Sequence, residues 1–176
     1  KTIGEKAFAG RGDGGGGYYT RYYDNAHSNL VYNATAAPES GGLLQTLIIP
    51  KDSKLTTISR YAFAGNNNLR DVSILGDSIR KIETGAFNHC LLDTIILPPH
   101  LTALDTLAFA YCTGLKFVAM PNTLTEVPSN AFIVCTNLDN VQFPKKLTKI
   151  GHHAFADCTN LRNVDIPGLV TNIEDY

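Results

Sequence analysis

The chain has 176 residues, of which 44% are hydrophobic, and its 15 basic and 16 acidic residues give a formal net charge of -1. This length and hydrophobic content support one sizeable core and argue against an intrinsically disordered chain. The balanced charge argues against binding to nucleic acid or anionic lipid through a general electrostatic attraction.

The dipeptide Ala-Phe recurs along the chain and divides it into units. It occurs at residues 7–8, 62–63, 86–87, 108–109, 131–132 and 154–155. From Phe63 onward, the phenylalanines of successive pairs are 24, 22, 23 and 23 residues apart. A period of this size, sustained over several units, is typical of a solenoid, in which each unit forms one coil and stacks on its neighbours.

A long insertion interrupts the first unit, between about residues 10 and 42. Phe8 is followed by the first leucine of the next unit, Leu44, only after 36 residues, whereas the later units have a spacing of 5 or 6 residues. The insertion opens with a glycine-rich run and then becomes rich in tyrosine, which offers a large contact area at low entropic cost. Two interpretations stay open: a cap over the core of the first coil, or a recognition loop. The tyrosines that would contact a partner in the second case are Tyr18, Tyr19, Tyr22 and Tyr23.

The glycine-rich run contains Arg11-Gly12-Asp13, the tripeptide found in integrin ligands. Its flanking glycines would keep the tripeptide exposed and mobile, as such a ligand requires. A three-residue match is nevertheless common by chance, so the motif alone does not decide whether the tripeptide is used.

Each unit after the insertion begins with a segment of the form Leu-x-x-Val-x-Ile-Pro. The alternation of its last apolar positions predicts a short β-strand with one buried face. Proline closes most of these strands because it has no N–H to donate to the ladder. Six such strands are predicted, all parallel, about 4.8 Å apart and on the concave side of the solenoid. The six segments begin at Leu44, Leu69, Leu92, Leu115, Leu138 and Leu161.

The second half of each unit contains a short apolar pair followed by the Ala-Phe dipeptide. The pair has the form Leu-x-x-Ile, as at Leu147 and Ile150, and begins the return leg of the coil, where a second, very short strand can form. The following Ala-Phe-x-x-Cys segment is predicted to form a tight 3₁₀ or helical turn on the convex side. Its phenylalanine fills the interior, and its alanine permits close approach of the neighbouring coil.

Four cysteines lie three residues after the repeat phenylalanine, and equal register puts them in one column. They are Cys90, Cys112, Cys135 and Cys158. Neighbouring coils bring the Cα atoms of such a column within the range of about 4.4–6.8 Å that a disulfide requires. Buried cysteine also behaves as a small hydrophobic residue, and Asn66 occupies the same position in another unit. We predict four reduced, buried thiols and no zinc site, because a linear column does not provide tetrahedral ligands.

The polar positions of each predicted strand face outward, and they are the candidate binding surface. The third positions are Thr46, Asp71, Thr94, Phe117, Asn140 and Asn163, and the fifth positions are Ile48, Ser73, Ile96, Ala119, Gln142 and Asp165. Ile96, Phe117 and Ala119 lie side by side in the central coils, with Ile48 further along. Apolar residues clustered on a polar surface indicate an interaction site, so we predict that these four residues contact a partner. Alternatively, the insertion or a second copy of the chain covers them.

The multi-position repeat resembles that of a known family. Residues 147–158, Leu-Thr-Lys-Ile-Gly-His-His-Ala-Phe-Ala-Asp-Cys, are the closest copy of a pattern that resembles the BspA-like, or Treponema pallidum-type, leucine-rich repeats. The resemblance covers residues 43–176 and residues 3–9. It implies an α/β solenoid of leucine-rich repeats with about 23 residues per repeat. It also implies a protein exposed on or secreted from a host-associated bacterium, since known members bind extracellular-matrix proteins or other cells.

The sequence therefore predicts a non-enzymatic protein-binding module that adheres to host or matrix protein through its concave face. The alternative is a structural spacer or self-assembling scaffold, in which the apolar residues serve a homo-oligomer. We expect no cofactor, metal, nucleic acid or small-molecule substrate, because no phosphate loop, nucleophile elbow or metalloprotease motif occurs in the chain. Both ends fall inside a repeat, so we interpret residues 1–176 as a single repeat domain truncated at both ends.

Overall fold

The computed structural model describes residues 2–3 and 44–175. The predicted insertion between residues 10 and 42, with Arg11-Gly12-Asp13 and its tyrosines, lies outside this part of the chain. Within the described part, no helix has the length and hydropathy of a membrane span.

Short strands in two parallel columns form the described part of the molecule, one column for each apolar block of the repeat. The first column contains β2 (Thr46–Ile49), β4 (Asp71–Ile74), β6 (Thr94–Ile96), β8 (Phe117–Ala119) and β10 (Asn140–Gln142). The second contains β1 (Thr2–Ile3), β3 (Thr57–Ile58), β5 (Lys81–Ile82), β7 (Ala103–Leu104), β9 (Glu126–Val127), β11 (Lys149–Ile150) and β12 (Asn172–Ile173). The second, very short strand of each coil is therefore confirmed.

The register of the strands confirms the repeat alignment read from the sequence. In the first column, Ile95 pairs with Val118, which pairs with Val141, and all three side chains are buried. The strands pair as β2-β4, β6-β8-β10, β1-β3-β5-β7 and β9-β11-β12, always in parallel. Residues at the same position of successive units thus lie side by side, and the chain is a β-solenoid.

The prediction of six strands in the first column is wrong by one within the described residues. The segment 161–166 has the sequence pattern but no strand geometry. Val164 and Ile166 are each 43% exposed there, although equivalent residues of the central coils are buried. The physical reason is that no described coil packs on the far side of this segment, so its apolar residues lack the neighbour that buries them.

The 3₁₀ or helical character predicted for the Ala-Phe segments is not confirmed, because these segments form hydrogen-bonded turns. Every second backbone amide in these segments donates its hydrogen bond to the next coil. The amide of Ala131 donates back to the carbonyl of Pro128 (3.2 Å), whereas the amide of Phe132 donates to Ala154 in the next coil (2.9 Å). In a helix, the amides beyond the first turn all bond within the helix. Half of the amides in this turn instead join neighbouring coils.

This alternation depends on positive φ angles at two positions of each coil, one before the Ala-Phe pair and one before the cysteine position. In one coil they are Leu107 (φ 60°) and Tyr111 (φ 59°). The amide of Tyr111 then donates to Ile133 of the next coil (2.8 Å). Neither residue type favours this conformation, so the stacked coils impose it.

The core is a set of side-chain columns that run through the stacked coils. The repeat phenylalanines form one column, in which the rings of Phe63, Phe87, Phe109 and Phe132 are nearly parallel at centroid distances of 5.2–5.5 Å. All four rings are fully buried. Aromatic pairs at this distance contribute more than their buried area alone.

The cysteine column lies where the sequence predicted it, and its four thiols are buried. Each thiol donates to the carbonyl of the phenylalanine in the preceding coil, at 3.1–3.2 Å. Asn66, in the equivalent position, uses its amide for the carbonyl of Phe63 (2.7 Å). Each side chain of this column therefore donates a hydrogen bond to the carbonyl of a repeat phenylalanine. This explains why a small side chain with a donor occupies the position.

Candidate protein-binding surface

The outward side of β2, β4, β6, β8 and β10 is a continuous surface, which we call the strand face. It is the face that the sequence predicted to be concave. Burial alternates along its strands: Val118 and Val141 point into the core, whereas the third and fifth positions of each strand are exposed or half-buried. The predicted inward and outward faces of these strands are confirmed.

Three of the predicted contact residues lie together at the centre of the strand face. Ile96 on β6 is 67% exposed and is in register with Ala119 on β8, while Thr94 is in register with Phe117. Phe117 and Ala119 are half-buried. Because residues in register on neighbouring strands lie about 5 Å apart, these side chains form one apolar cluster.

The fourth predicted residue, Ile48, lies on β2 and does not adjoin this cluster. It is 63% exposed. Strand β4 runs between β2 and β6, and its outward residues Asp71 and Ser73 are polar. This position agrees with the sequence analysis, which placed Ile48 further along the surface than the other three residues.

Leu75 was missed by the sequence analysis and lies on the coil between those of Ile48 and Ile96. It follows β4, is 59% exposed, and occupies the position that proline fills in the other units. Its amide donates to Ile49 of the preceding coil (2.9 Å), which a proline cannot do. The missing proline was the available signal. We call the five residues Ile48, Leu75, Ile96, Phe117 and Ala119 the apolar patch.

A column of charged residues borders the strand face, one residue before the third position of each strand. Its members alternate in sign along the solenoid: Arg70, Asp93, Lys116, Asp139 and Arg162. We call this set the charge column. Backbone hydrogen bonds hold its spacing, since Lys116 donates to Asp93 (2.9 Å) and Asp139 donates to Lys116 (3.0 Å). One side-chain pair lies within ion-pair distance, Arg70 with Asp93 (3.8 Å).

Two ion pairs of the second column connect neighbouring coils. Lys81 pairs with Asp105 (3.1 Å), and Lys149 pairs with Glu174 (2.6 Å). The pKa of Glu174 is lowered, chiefly by its hydrogen bond with Lys149. Among the described residues, no group of three His, Cys, Asp or Glu side chains is placed to hold a metal ion.

Two of the buried titratable groups, Cys112 and His89, are neutral at physiological pH. Burial raises the pKa of the Cys112 thiol to about 12 and lowers the pKa of the His89 imidazole to about 4. A general acid or base works best with a pKa near the operating pH, so both values suit packing rather than proton transfer.

A groove of about 530 Å³ lies beside the last coil, and it is the open side of the repeat core. Its lining includes Phe143, Phe155, Leu161, Ile166 and Ile173. In the preceding coil the equivalent surface is covered, since the amide of Phe132 donates to Ala154 of the next coil (2.9 Å). We therefore interpret the groove as a stacking surface of the solenoid and not as a ligand pocket.

Comparison with known proteins identifies the repeat. Residues 56–176 match the family model described as the BspA type leucine rich repeat region, in six copies. No curated protein matched the chain.

Solved structures of bacterial leucine-rich repeat proteins are similar in fold. A Bacteroides ovatus leucine-rich repeat protein is 27% identical with a TM-score of 0.67, over 72% of this chain and 32% of that protein. The Treponema pallidum leucine-rich repeat protein is 26% identical with a TM-score of 0.62, over 74% of this chain and 56% of that protein. This chain thus spans less than two thirds of the length of either protein. With the six matched copies and the observed solenoid, the chain belongs to the BspA-type leucine-rich repeat family.

Proposed function

We propose that this chain is a non-enzymatic protein-binding module that contacts its partner through the strand face. The observation that carries the proposal is the apolar patch, in which Ile48, Leu75 and Ile96 are each more than half exposed on an otherwise polar surface. Apolar side chains clustered on a folded surface are typical of an interaction site. The family supports the class of function, because leucine-rich repeats form protein-binding scaffolds.

We further propose that the protein is exposed on the bacterial surface or secreted and that it adheres to host or matrix protein. The support is the resemblance to BspA-like proteins, whose known members act in this way. The tyrosines Tyr18, Tyr19, Tyr22 and Tyr23 are proposed as accessory contacts. They lie outside the described residues, so this part of the proposal rests on composition alone.

The test is binding of the chain to a panel of immobilised matrix proteins: collagen, laminin and fibronectin. Phe117→Asp places a charge in the centre of the apolar patch, and we expect it to weaken binding at least tenfold, because the carboxylate loses its hydration in the interface without gaining a partner. Gln142→Asp is the matched control, since it adds the same charge to the polar end of the same face, and we expect little change.

Two results would contradict the proposal. If the wild-type protein binds none of the panel, the proposed adhesion function is wrong. Equal binding by wild type, Phe117→Asp and Gln142→Asp would show that the partner uses another surface. Circular dichroism of each variant establishes that the solenoid is folded.

The alternative function, a self-assembling scaffold, is favoured by one observation, the alternating signs of the charge column. A surface that carries opposite charges in alternation along one axis can be complementary to itself. This property leads to a specific arrangement of two copies.

A further inference from the structure

We propose that a second copy of this chain docks on the strand face with its coils in reversed order, related by a two-fold axis that runs between β6 and β8 parallel to the strands. The proposal rests on the proposed function in that both use the strand face. It names the partner as the chain itself. Three features of the described residues carry it: the spacing of the charge column, the order of its signs, and the shape of the apolar cluster.

The spacing of the charges matches a second solenoid. Successive members of the charge column lie one strand apart, at about 4.8 Å, because each belongs to the next coil. An isolated extended strand laid along the column presents side chains on one face only about every 6.6 Å, so it falls out of register after one charge. A second copy of this chain presents its own charges at the same interval over the full length of the column.

The order of the signs favours an axis between two strands over one that passes through a strand. With the axis between β6 and β8, Asp93 faces Lys116 of the second copy, and Arg70 faces Asp139 of the second copy. An axis through β8 would instead place Asp93 opposite Asp139 and Arg70 opposite Arg162, which is like charge on like charge. Opposed charges favour association and set its register, whereas opposed like charges suppress it.

The apolar cluster fits the same axis. It places the large, exposed Ile96 opposite the small Ala119 of the second copy, and Phe117 opposite Thr94. The two-fold axis generates each contact twice. Two large side chains from each copy therefore meet smaller side chains on the other copy. The charge column therefore places the axis between two strands, and the apolar cluster selects β6 and β8 as that pair.

A dimer of this kind would keep the apolar patch covered until an outside partner displaces the second copy. Its formation is tested by analytical ultracentrifugation of the purified chain over a concentration series at low salt. We expect a reversible monomer–dimer equilibrium for the wild type. Asp93→Lys and Lys116→Asp should each raise the dissociation constant at least tenfold, because either change creates two like-charge contacts across the axis.

The double variant Asp93→Lys with Lys116→Asp separates this arrangement from a general charge effect. It exchanges the two charges, so each still faces its opposite across the axis, and we expect a dissociation constant within about threefold of the wild type. Lys146→Asp, an exposed change in the turn after β10, is the control and should leave the equilibrium unchanged. Thermal unfolding monitored by circular dichroism verifies that every variant is folded.

The outcomes distinguish this inference from the proposed function. A chain that stays monomeric at all concentrations overturns the dimer and leaves the binding of matrix protein, tested with Phe117→Asp, unaffected. A dimer that Asp93→Lys and Lys116→Asp do not weaken, or that the double variant does not restore, overturns the arrangement. Loss of all matrix binding, together with an intact charge-dependent dimer, overturns the adhesion proposal and supports the self-assembling scaffold.

Discussion

The central coils and the last coil share one sequence pattern but differ in how well they are buried. The ring of Phe109 is fully buried between those of Phe87 and Phe132, at centroid distances of 5.3 and 5.5 Å. Phe155, at the equivalent position of the last coil, stacks on Phe132 at 5.4 Å and remains half-buried. The burial of a coil is therefore supplied by its neighbours and not by its own sequence.

The backbone shows the same difference. The amide of Phe109 donates to Ala131 of the next coil (2.9 Å), whereas the amide of Phe155 has no acceptor among residues 2–3 and 44–175. The strand column likewise stops at β10, although residues 161–166 continue the pattern. In this solenoid a coil reaches its full hydrogen bonding and burial only when both of its neighbours are in place.

The largest expected effect compares the two phenylalanines directly. Phe109→Ala leaves a cavity between two buried rings and should lower the free energy of unfolding by about 3–5 kcal/mol. Phe155→Ala removes a half-exposed ring with one stacking neighbour, and we expect a loss of about 1–2 kcal/mol. Urea unfolding followed by circular dichroism measures both values.

Two observations would break this comparison. Equal losses for the two variants would mean that the last coil is as well packed as the centre. If Phe109→Ala unfolded in more than one step and lost stability in only one of them, the coils would unfold separately. Such unfolding is allowed because each coil of a repeat protein contacts only its neighbours.

A second prediction concerns pH and again separates the two regions. His89 stacks on Tyr111 in the central coils (centroid distance 4.7 Å), and burial lowers its pKa to about 4. The unfolded chain binds a proton at this side chain below about pH 6.5, whereas the folded chain does not. The stability from a neutral His89 is therefore fully present above about pH 6.5 and is lost as pH falls through 4, by up to about 3 kcal/mol.

The control is His89→Asn, because asparagine does not titrate and tolerates the positive φ of 58° at this position. Measured between pH 7 and 4, the free energy of unfolding should fall less steeply for this variant than for the wild type. The last coil has Asp157 at the equivalent position, so it lacks this histidine. Parallel curves for the two proteins would show that His89 is not the acid-sensitive group.

Most of the fold could be predicted from the sequence because the same pattern of apolar positions recurs in every unit. The inward direction of Val118 and the position of Cys112 follow from period and alternation, which hold in every coil. The strand predicted at residues 161–166, which the structure lacks, could not be judged in this way. Its formation depends on a neighbouring coil, and the pattern of a segment carries no information about whether that neighbour is present.

Two other features escaped the sequence for different physical reasons. The positive φ angles at Tyr111 and Val134 are imposed by bonds between coils, and local preference alone would assign such angles to glycine or asparagine. Leu75 belongs to the apolar patch because leucine replaces the proline of the other units at this position. The replacement can be interpreted only once the outward side of the strands is known. The centre of the candidate site was predictable, whereas its extent required the structure.

The smallest expected effect concerns one of these imposed angles. Val134 has φ 58°, although a β-branched side chain is strongly disfavoured in this conformation. Its amide donates to Ala156 of the last coil (2.8 Å), so the stacking bond between the coils holds the strained angle. Val134→Asn should relieve the strain and keep the bond. We expect the free energy of unfolding to rise by about 0.5–1 kcal/mol after the loss of the half-buried methyl groups.

Asp157→Asn provides the comparison in the last coil, since Asp157 has φ 57° and already tolerates this conformation. We expect a change below about 0.5 kcal/mol for this variant, because no strain is relieved. Thermal unfolding of both variants beside the wild type measures the difference. If Val134→Asn destabilises the chain, then the packing of the valine outweighs its backbone strain. The strain of the positive φ would in that case cost less free energy than the packing of the valine contributes, and it would not limit the stability of the stacked coils.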